Sequence, residues 1–182
     1  METVWKAYKV FEVVKKVGVA ISGIFILVMM CLIVYDVVMR NLFDSSIRGG
    51  FEIIQNYMMP LAVFPGLAYM YASGVLPKMD MLLDKVNLKI QRVAIIVMIL
   101  IELFILVLIV QFSLDYAMSG LERKSAFPAA GTLYPIYPLY FIIPIAFGLI
   151  IIENIFILIR NILVNEPTLV MNIKENGPEE LL

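Results

Sequence analysis

The sequence of 182 residues contains no histidine, a single cysteine and few charged residues. The lack of histidine excludes histidine-ligated haem, most zinc and non-haem iron sites, and any histidine-based triad or proton relay. One cysteine, Cys31, allows neither an intrachain disulfide nor a CxxC metal motif, and its place inside an apolar run favours a small buried hydrophobic residue. The net charge of -1 gives no support to nucleic-acid binding.

Apolar residues dominate the chain instead. Hydrophobic residues make up 62% of the sequence, and the mean hydropathy is +0.95. A soluble domain of this length cannot bury so much apolar surface, so the sequence predicts an integral membrane protein. Four apolar runs reach the roughly 20 residues of helix that cross a bilayer. The predicted fold is an all-α membrane domain over 17–160, with spans at about 17–39, 52–72, 92–117 and 135–160.

The segments outside the predicted spans indicate an orientation. Residues 1–16 place charged and apolar side chains on opposite sides of a helix, which predicts an amphipathic interfacial helix; a plain extension of the first span is the alternative. A similar pattern predicts a short amphipathic helix between spans two and three, and 161–182 is expected to be a cytoplasmic tail. Ten lysines and arginines fall on the side of the termini and four on the other side, which predicts cytoplasmic termini.

Ionisable residues within the spans are the first candidates for function. Glu102 is the deepest, and it is either a proton site or a hydrogen-bonded helix contact; without a second titratable residue in a relay, the helix contact is favoured. Asp36 and Arg40 lie four residues apart near the end of the first span, which predicts a pair on one helix face. Glu153 and Asn154, near the inner end of the fourth span, are interpreted as interface or helix-contact residues.

Prolines and glycines give further predictions about helix geometry. The stretch "YPIYPLYFIIP", residues 134–144, opens the fourth span with three prolines. Pro135 or Pro138 suits a first helical turn, whereas Pro144 lies deeper and predicts a kink. Gly66 and Gly148 are expected to allow close helix approach.

No motif of a known enzyme class occurs in the sequence. Walker, GxGxxG, GxSxG and HExxH patterns are missing, and no loop is long enough for an enzymatic domain. We therefore expect no catalytic, metal-binding, cofactor-binding or substrate-binding residues. Four spans without a repeated half are also a poor stand-alone secondary transporter. The chain is expected to be a subunit of a larger assembly.

Several motifs, taken in order, resemble the small membrane subunit (DctQ-like) of tripartite ATP-independent periplasmic (TRAP) transporters. In "VVMRNLF", Arg40 and Phe43 match the family's Arg-aromatic-x-Phe signature, with Asn41 where tyrosine is usual, and Glu52 matches the acidic residue that opens the second span. Pro135 and Pro144 have the separation of a family proline pair. The stretch "GLAYMYASGVLPKMD" follows the family pattern at Gly66, Ala68, Tyr69, Gly74, Lys78 and Asp80. The resemblance covers about residues 15–160.

The resemblance implies a non-catalytic subunit, without cofactor, in the inner membrane of a bacterium or archaeon. It would brace a large multispanning subunit that uses a sodium gradient to take up an organic anion, such as a carboxylate, from a periplasmic binding protein. Its expected partners are that subunit, the lipid bilayer and, transiently, the binding protein. The candidate structural or interface residues are Asp36, Arg40, Phe43, Glu52, Gly66, Asp80, Glu102, Pro135, Pro144 and Gly148.

An alternative from a different class is an autonomous small transporter of ions or solutes that oligomerises around Glu102. A membrane anchor for electron transfer is opposed by the missing histidines and the lone cysteine.

Overall fold

A computed structural model describes residues 2–73 and 88–163, which form a mostly helical fold. The elements, in chain order, are α1 Glu2–Phe43, α2 Gly50–Ile53, a π-helical turn Ile54–Met58, α3 Met59–Ala72, α4 Leu88–Glu122, β1 Ala126–Ala129, β2 Thr132–Pro135, α5 Tyr137–Tyr140 and α6 Ile142–Leu163. The two strands lie at one end of the helices, here called the hairpin end. The first residues of α1 and the last of α6 lie at the opposite end, here called the terminal end.

Three helices in the described part are long and apolar enough to cross a membrane by length and composition: Tyr8–Phe43, Ile90–Glu122 and Tyr137–Asn161. These helices agree with the prediction of a membrane protein. The predicted second span coincides with α2, the π-helical turn and α3, which follow one another without a gap over 50–72. At about 1.5 Å per residue they make about 34 Å of helix. The count of four spans stays a prediction.

The amino-terminal segment is continuous with the first span. α1 is one helix of 42 residues, whereas the sequence predicted two helices that meet near residue 16. Tyr8 and Phe11 are buried in a cluster with Ile95, Ile99 and Ile157 of α4 and α6. This packing fits the alternative of an extended first span; an interfacial position for 1–16 stays a prediction.

Two predicted features fall on parts of the chain that are not described. The helix between spans two and three, with Asp80, lies largely within 74–87, outside the described residues. The tail predicted for 161–182 is described only as far as Leu163.

The connection at the hairpin end contains a β-hairpin that the all-α prediction missed. Residues 126–129 pair antiparallel with 132–135, and Ala130 and Gly131 turn the chain with positive φ angles, as a tight hairpin requires. Pro135 lies in the second strand, so the helix starts two residues after the predicted start of the fourth span at about residue 135. The helix begins at Tyr137, with Pro138 in its first turn.

The last helical segment is interrupted at Phe141, three residues before Pro144, and the kink predicted at this proline stays a prediction. α5 ends at Tyr140, and α6 begins at Ile142. A proline ring clashes with the carbonyl four residues earlier, which here belongs to Tyr140. The interruption puts Pro144 in the first turn of α6, where its missing N–H has no intrahelical partner to lose.

α1 and α3 approach closely at two glycines. A Cβ added to Gly18 would overlap the backbone carbonyl oxygen of Pro65, and a Cβ on Gly66 would lie 2.9 Å from Ser22 Oγ. Around Gly148 a Cβ would meet nothing within 4 Å. The described chain therefore packs tightly at Gly18 and Gly66, and shows no close helix approach at Gly148.

The close approach at Gly18 gives a first testable expectation. Gly18→Ala should lower the stability of the folded chain by about 1–3 kcal/mol, because an added methyl group forces α1 away from Pro65. The measurement is unfolding by a denaturing detergent in mixed micelles. Gly23→Ala is the control: it lies on the same helix, has open space around it, and gains the same helix propensity. Equal effects of the two substitutions would contradict the close packing.

Candidate functional site

A buried ion pair joins the first and last long helices. Lys15 Nζ of α1 lies 2.6 Å from Glu153 Oε2 of α6, and the side chains are 2% and 0% exposed. The Tyr8 hydroxyl donates to Glu153 Oε1 at 2.8 Å and accepts a hydrogen bond from Lys15 Nζ at 3.0 Å. Tyr8 and Lys15 are seven residues apart, two helical turns, so both face α6. The three groups form a closed set of charge-assisted hydrogen bonds.

Aromatic rings surround this ion pair. The Lys15 ammonium lies 4.6 Å from the ring centroid of Tyr8 and 5.2 Å from that of Phe11, distances typical of cation–π contacts. The ring of Phe156 packs edge-on against Tyr8, with centroids 5.3 Å apart. Burial removes water from both charges, so each partner depends on the other.

A second polar contact lies beside the ion pair and involves the other two long segments. The Tyr71 hydroxyl of α3 donates to Asn154 Oδ1 of α6 at 2.7 Å, and the same hydroxyl interacts with the Glu102 carboxyl group of α4. Asn154 follows Glu153 directly in α6. All four long helical segments therefore contribute to one set of polar contacts, which we call the polar layer: Tyr8, Lys15, Tyr71, Glu102, Glu153 and Asn154.

The polar layer consists of contacts that join different helices to one another. Lys15 and Glu153 neutralise each other, and Glu102 interacts with Tyr71 of a neighbouring helix. The role of Glu102 as a helix contact stays a prediction. Among the described residues, no group of three or more histidine, cysteine, aspartate or glutamate side chains could hold a metal ion. Asn154 Nδ2 is buried without a hydrogen-bond partner in the described part of the chain.

At the hairpin end, Asp36 organises the loop after α1. Arg40 Nη2 donates to Asp36 Oδ2 at 2.7 Å, so the structure brings the predicted pair together. The backbone N–H of Ile47 donates to the other carboxylate oxygen at 2.8 Å. Asp36 thus holds both the end of α1 and the chain that returns toward α2. Phe43, the last residue of α1, is exposed.

The hairpin is fastened to the segment that opens the second predicted span. The Tyr57 hydroxyl, in the π-helical turn, donates to the Pro135 carbonyl oxygen, and its ring lies 5.4 Å from the ring of Phe127. Gly49 has a φ of +75°, and an added Cβ would lie 2.6 Å from Ala130 N. Pro135 is therefore a hydrogen-bond acceptor in this contact. Glu52 lies half-buried in the first turn of α2, where a carboxylate is favourable.

Sequence analysis missed Tyr8, Lys15 and Tyr71. Lys15 is one of the ten basic residues from which cytoplasmic termini are predicted, because a lysine at the end of an apolar run usually lies in the headgroup region. One signal was available: Tyr8, Phe11, Lys15 and Ser22 follow helical spacing and form the buried face of α1. A lysine within such a face indicates a buried partner.

The comparisons with known proteins identify one family. The family model described as "Tripartite ATP-independent periplasmic transporters, DctQ component" matches residues 29–163. No curated protein matches the chain, and no solved structure does.

The ion pair gives a second expectation. Lys15→Met should destabilise the folded chain by about 3–5 kcal/mol, because it leaves the Glu153 carboxylate buried without a counter-charge. The double variant Lys15→Met with Glu153→Gln should recover most of this loss, since no charge is then buried. Unfolding in mixed micelles measures both effects.

The control for this experiment is Lys16→Met, which breaks an exposed pair with Glu12 and should change stability little. If Lys15→Met were as mild as Lys16→Met, the ion pair would not hold α1 to α6.

Proposed function

Because the chain belongs to the DctQ family of tripartite ATP-independent periplasmic transporter components, we propose that it is the small membrane subunit that braces the large subunit. One structural observation supports this role: the buried charges of the polar layer bind helices to one another. A transport subunit needs polar groups at midspan that a ligand can reach. Here the side chains of Lys15, Glu153 and Tyr71 bind neighbouring helices instead.

The proposed membrane arrangement has four spans. The helical pieces over 50–72 form the second span, since about 34 Å of mostly apolar helix is enough to cross the hydrocarbon core of about 30 Å. Both termini are cytoplasmic, which puts the terminal end inside and the hairpin end in the periplasm. Exposed Lys9 and Lys16 at the terminal end support this orientation.

The proposed transport system works at the inner membrane of a bacterium or archaeon. A periplasmic binding protein delivers an organic anion, such as a carboxylate, to the large subunit, which takes it up with a sodium gradient. The substrate and sodium sites belong to the partner chains. This chain contributes a fixed surface against which the moving part of the large subunit works.

Contacts at both ends of the helices support a rigid subunit. The polar layer joins the helices toward the terminal end, and the Tyr57 and Asp36 contacts fix the hairpin end. Between them, Gly18 and Gly66 allow α1 and α3 to touch. A chain that is held at both ends resists the motions of a moving partner.

Affinity purification tests this proposal directly. The chain, tagged at its carboxyl terminus and extracted from its native membrane in mild detergent, should bring one large multispanning protein in equal amount, identified by mass spectrometry. Recovery of the tagged chain alone, as a self-oligomer, would overturn the subunit assignment.

Glu102 distinguishes the brace from the autonomous transporter. Glu102→Gln should leave both assembly and uptake by the reconstituted complex near the unsubstituted level, because glutamine keeps a polar group beside the Tyr71 hydroxyl. Uptake of labelled substrate into proteoliposomes measures this. Transport by the purified chain alone, abolished by Glu102→Gln while assembly persists, would favour the alternative.

A further inference from the structure

One charged residue lies on the outside of the apolar span of α4. Asp115 is exposed, and neither an ion pair nor a hydrogen bond joins its carboxylate to another described residue. It belongs to the helical stretch Ile90–Glu122, which is apolar and long enough to cross a membrane. An ionisable side chain in such a stretch usually faces a protein partner or a water-filled cavity.

The neighbouring helices show how deep Asp115 lies. At about 1.5 Å per residue, Asp36 of α1 lies about 31 Å and Glu52 of α2 about 28 Å from the polar layer, whereas Asp115 lies only about 20 Å from it. No charged residue occurs in the stretches of the four helical segments between the polar layer and the first charges at the hairpin end: 17–35, 53–70, 103–114 and 137–152. The charge-free lengths on α1 and on the second segment match a hydrocarbon core of about 30 Å. Asp115 is therefore about two helical turns inside the edge that Asp36 and Glu52 mark.

The Asp115 carboxylate cannot reach the headgroups from this depth. A lysine or arginine can bring its charge to the interface on a long stem, but aspartate has a single methylene group. Phe112 and Tyr116 are exposed on either side of it, and Met118 and Leu121 are exposed farther toward the hairpin end. Large apolar side chains thus surround the carboxylate at its own depth and beyond it.

Asp115 is part of a row of polar residues on the outer face of α4. This row, here called the polar stripe, consists of four exposed residues: Gln111, Asp115, Ser119 and Glu122. At about 100° per residue they all lie within about 40° of Asp115 around the helix. Leu106 and Ala117, which are buried, lie on the opposite side, and Val97 and Phe104 on the outer face nearer the terminal end are exposed and apolar. The outer face therefore changes from apolar, which suits lipid, to polar within the span.

We propose that the polar stripe is a contact surface for the large subunit, and that Asp115 forms an ion pair there with an arginine or lysine of one of its membrane helices. The inference rests on the proposed function. A carboxylate at a depth from which water is largely excluded needs a counter-charge, and no described residue of this chain supplies one to Asp115. Gln111 and Ser119 offer hydrogen bonds on either side of the pair.

A second copy of this chain is a poorer occupant of the polar stripe. A symmetric contact sets the same patch of both copies face to face. Asp115 and Glu122 of one copy would then lie against the same carboxylates of the other, and like charges in contact oppose association.

Replacing Asp115 in the tagged, full-length chain tests the ion pair. Asp115→Lys places a positive charge against the proposed arginine or lysine and should lower the amount of large subunit recovered in mild detergent at least tenfold. Asp115→Leu removes the charge and should lower it at least threefold. Asp44→Lys is the matched control: it changes an exposed carboxylate in the loop after α1 and should leave the recovery unchanged.

The folding of the chain itself is measured separately, by unfolding in mixed micelles. Asp115 is exposed and bonds to no other described residue, so Asp115→Lys and Asp115→Leu should keep the unfolding equilibrium constant within about threefold of the unsubstituted value. Loss of the large subunit from a chain that is as stable as before is the expected result.

A photo-crosslinking amino acid at Phe112 leaves Asp115 intact and identifies the partner helix. Benzoylphenylalanine at this exposed position, irradiated in the native membrane, should give an adduct with the large subunit. Mass spectrometry should place the adduct within about one helical turn of an arginine or lysine. Exchanging the charges, with Asp115→Arg in this chain and that basic residue changed to aspartate, should restore at least half of the recovery.

Four results would overturn the inference: full recovery of the large subunit with Asp115→Lys, an equal loss with Asp44→Lys, an adduct from Phe112 with a second copy of the chain instead of the large subunit, or no recovery after the charge exchange. Copurification with the unsubstituted chain is measured first. Its failure removes the proposed function, whereas its success together with any of these four results removes only the ion pair.

Discussion

The buried pair of Lys15 and Glu153 is the contact on which the arrangement of the helices depends. Removing two charges from water costs several kcal/mol for each ion, and only close geometry with further hydrogen bonds recovers that cost. Tyr8 supplies those bonds to both partners. Because the pair fixes the rotation of α1 against α6, it also fixes what α1 presents elsewhere. Gly18 faces Pro65, and apolar residues such as Val10 and Ile24 are exposed.

Polar and close-backbone contacts matter more here than apolar burial does. Within lipid, an apolar side chain gains little by turning from acyl chains to another helix, so packing, hydrogen bonds and small residues decide how helices associate. The chain follows this rule. About half of the large apolar side chains in the described residues are exposed. The contacts between distant segments include a salt bridge, tyrosine hydrogen bonds and a helix crossing at two glycines. At the hairpin end, where the polar layer does not extend, the β-hairpin supplies further contacts between segments through Tyr57.

Local patterns in the sequence predicted part of the structure. Contacts between residues that are far apart in the sequence could not be predicted from such patterns. Hydropathy predicted the membrane class, and the apolar runs lie largely within the helices of the structure. The Asp36–Arg40 pair follows from spacing on one helix turn. The Lys15–Glu153 pair joins residues 138 positions apart, and no local pattern reports such a contact. The hairpin was hidden because its strands have four residues each and include prolines, which usually argue against strands. Gly148 shows the converse: a small residue permits a close approach but does not supply a neighbour.

The energies of these contacts explain why the chain suits a fixed rather than a moving role. Conformations that a transporter exchanges during its cycle differ by only a few kcal/mol. Separating Lys15 from Glu153 without a replacement partner leaves a buried charge at a cost of about 3–5 kcal/mol, and the Tyr71 contact with Asn154 would be lost in the same motion if α6 moved away from α1 and α3. The cost of opening the polar layer is therefore as large as, or larger than, the free-energy differences between such conformations. A chain held by such a layer keeps one conformation, as the proposed bracing role requires.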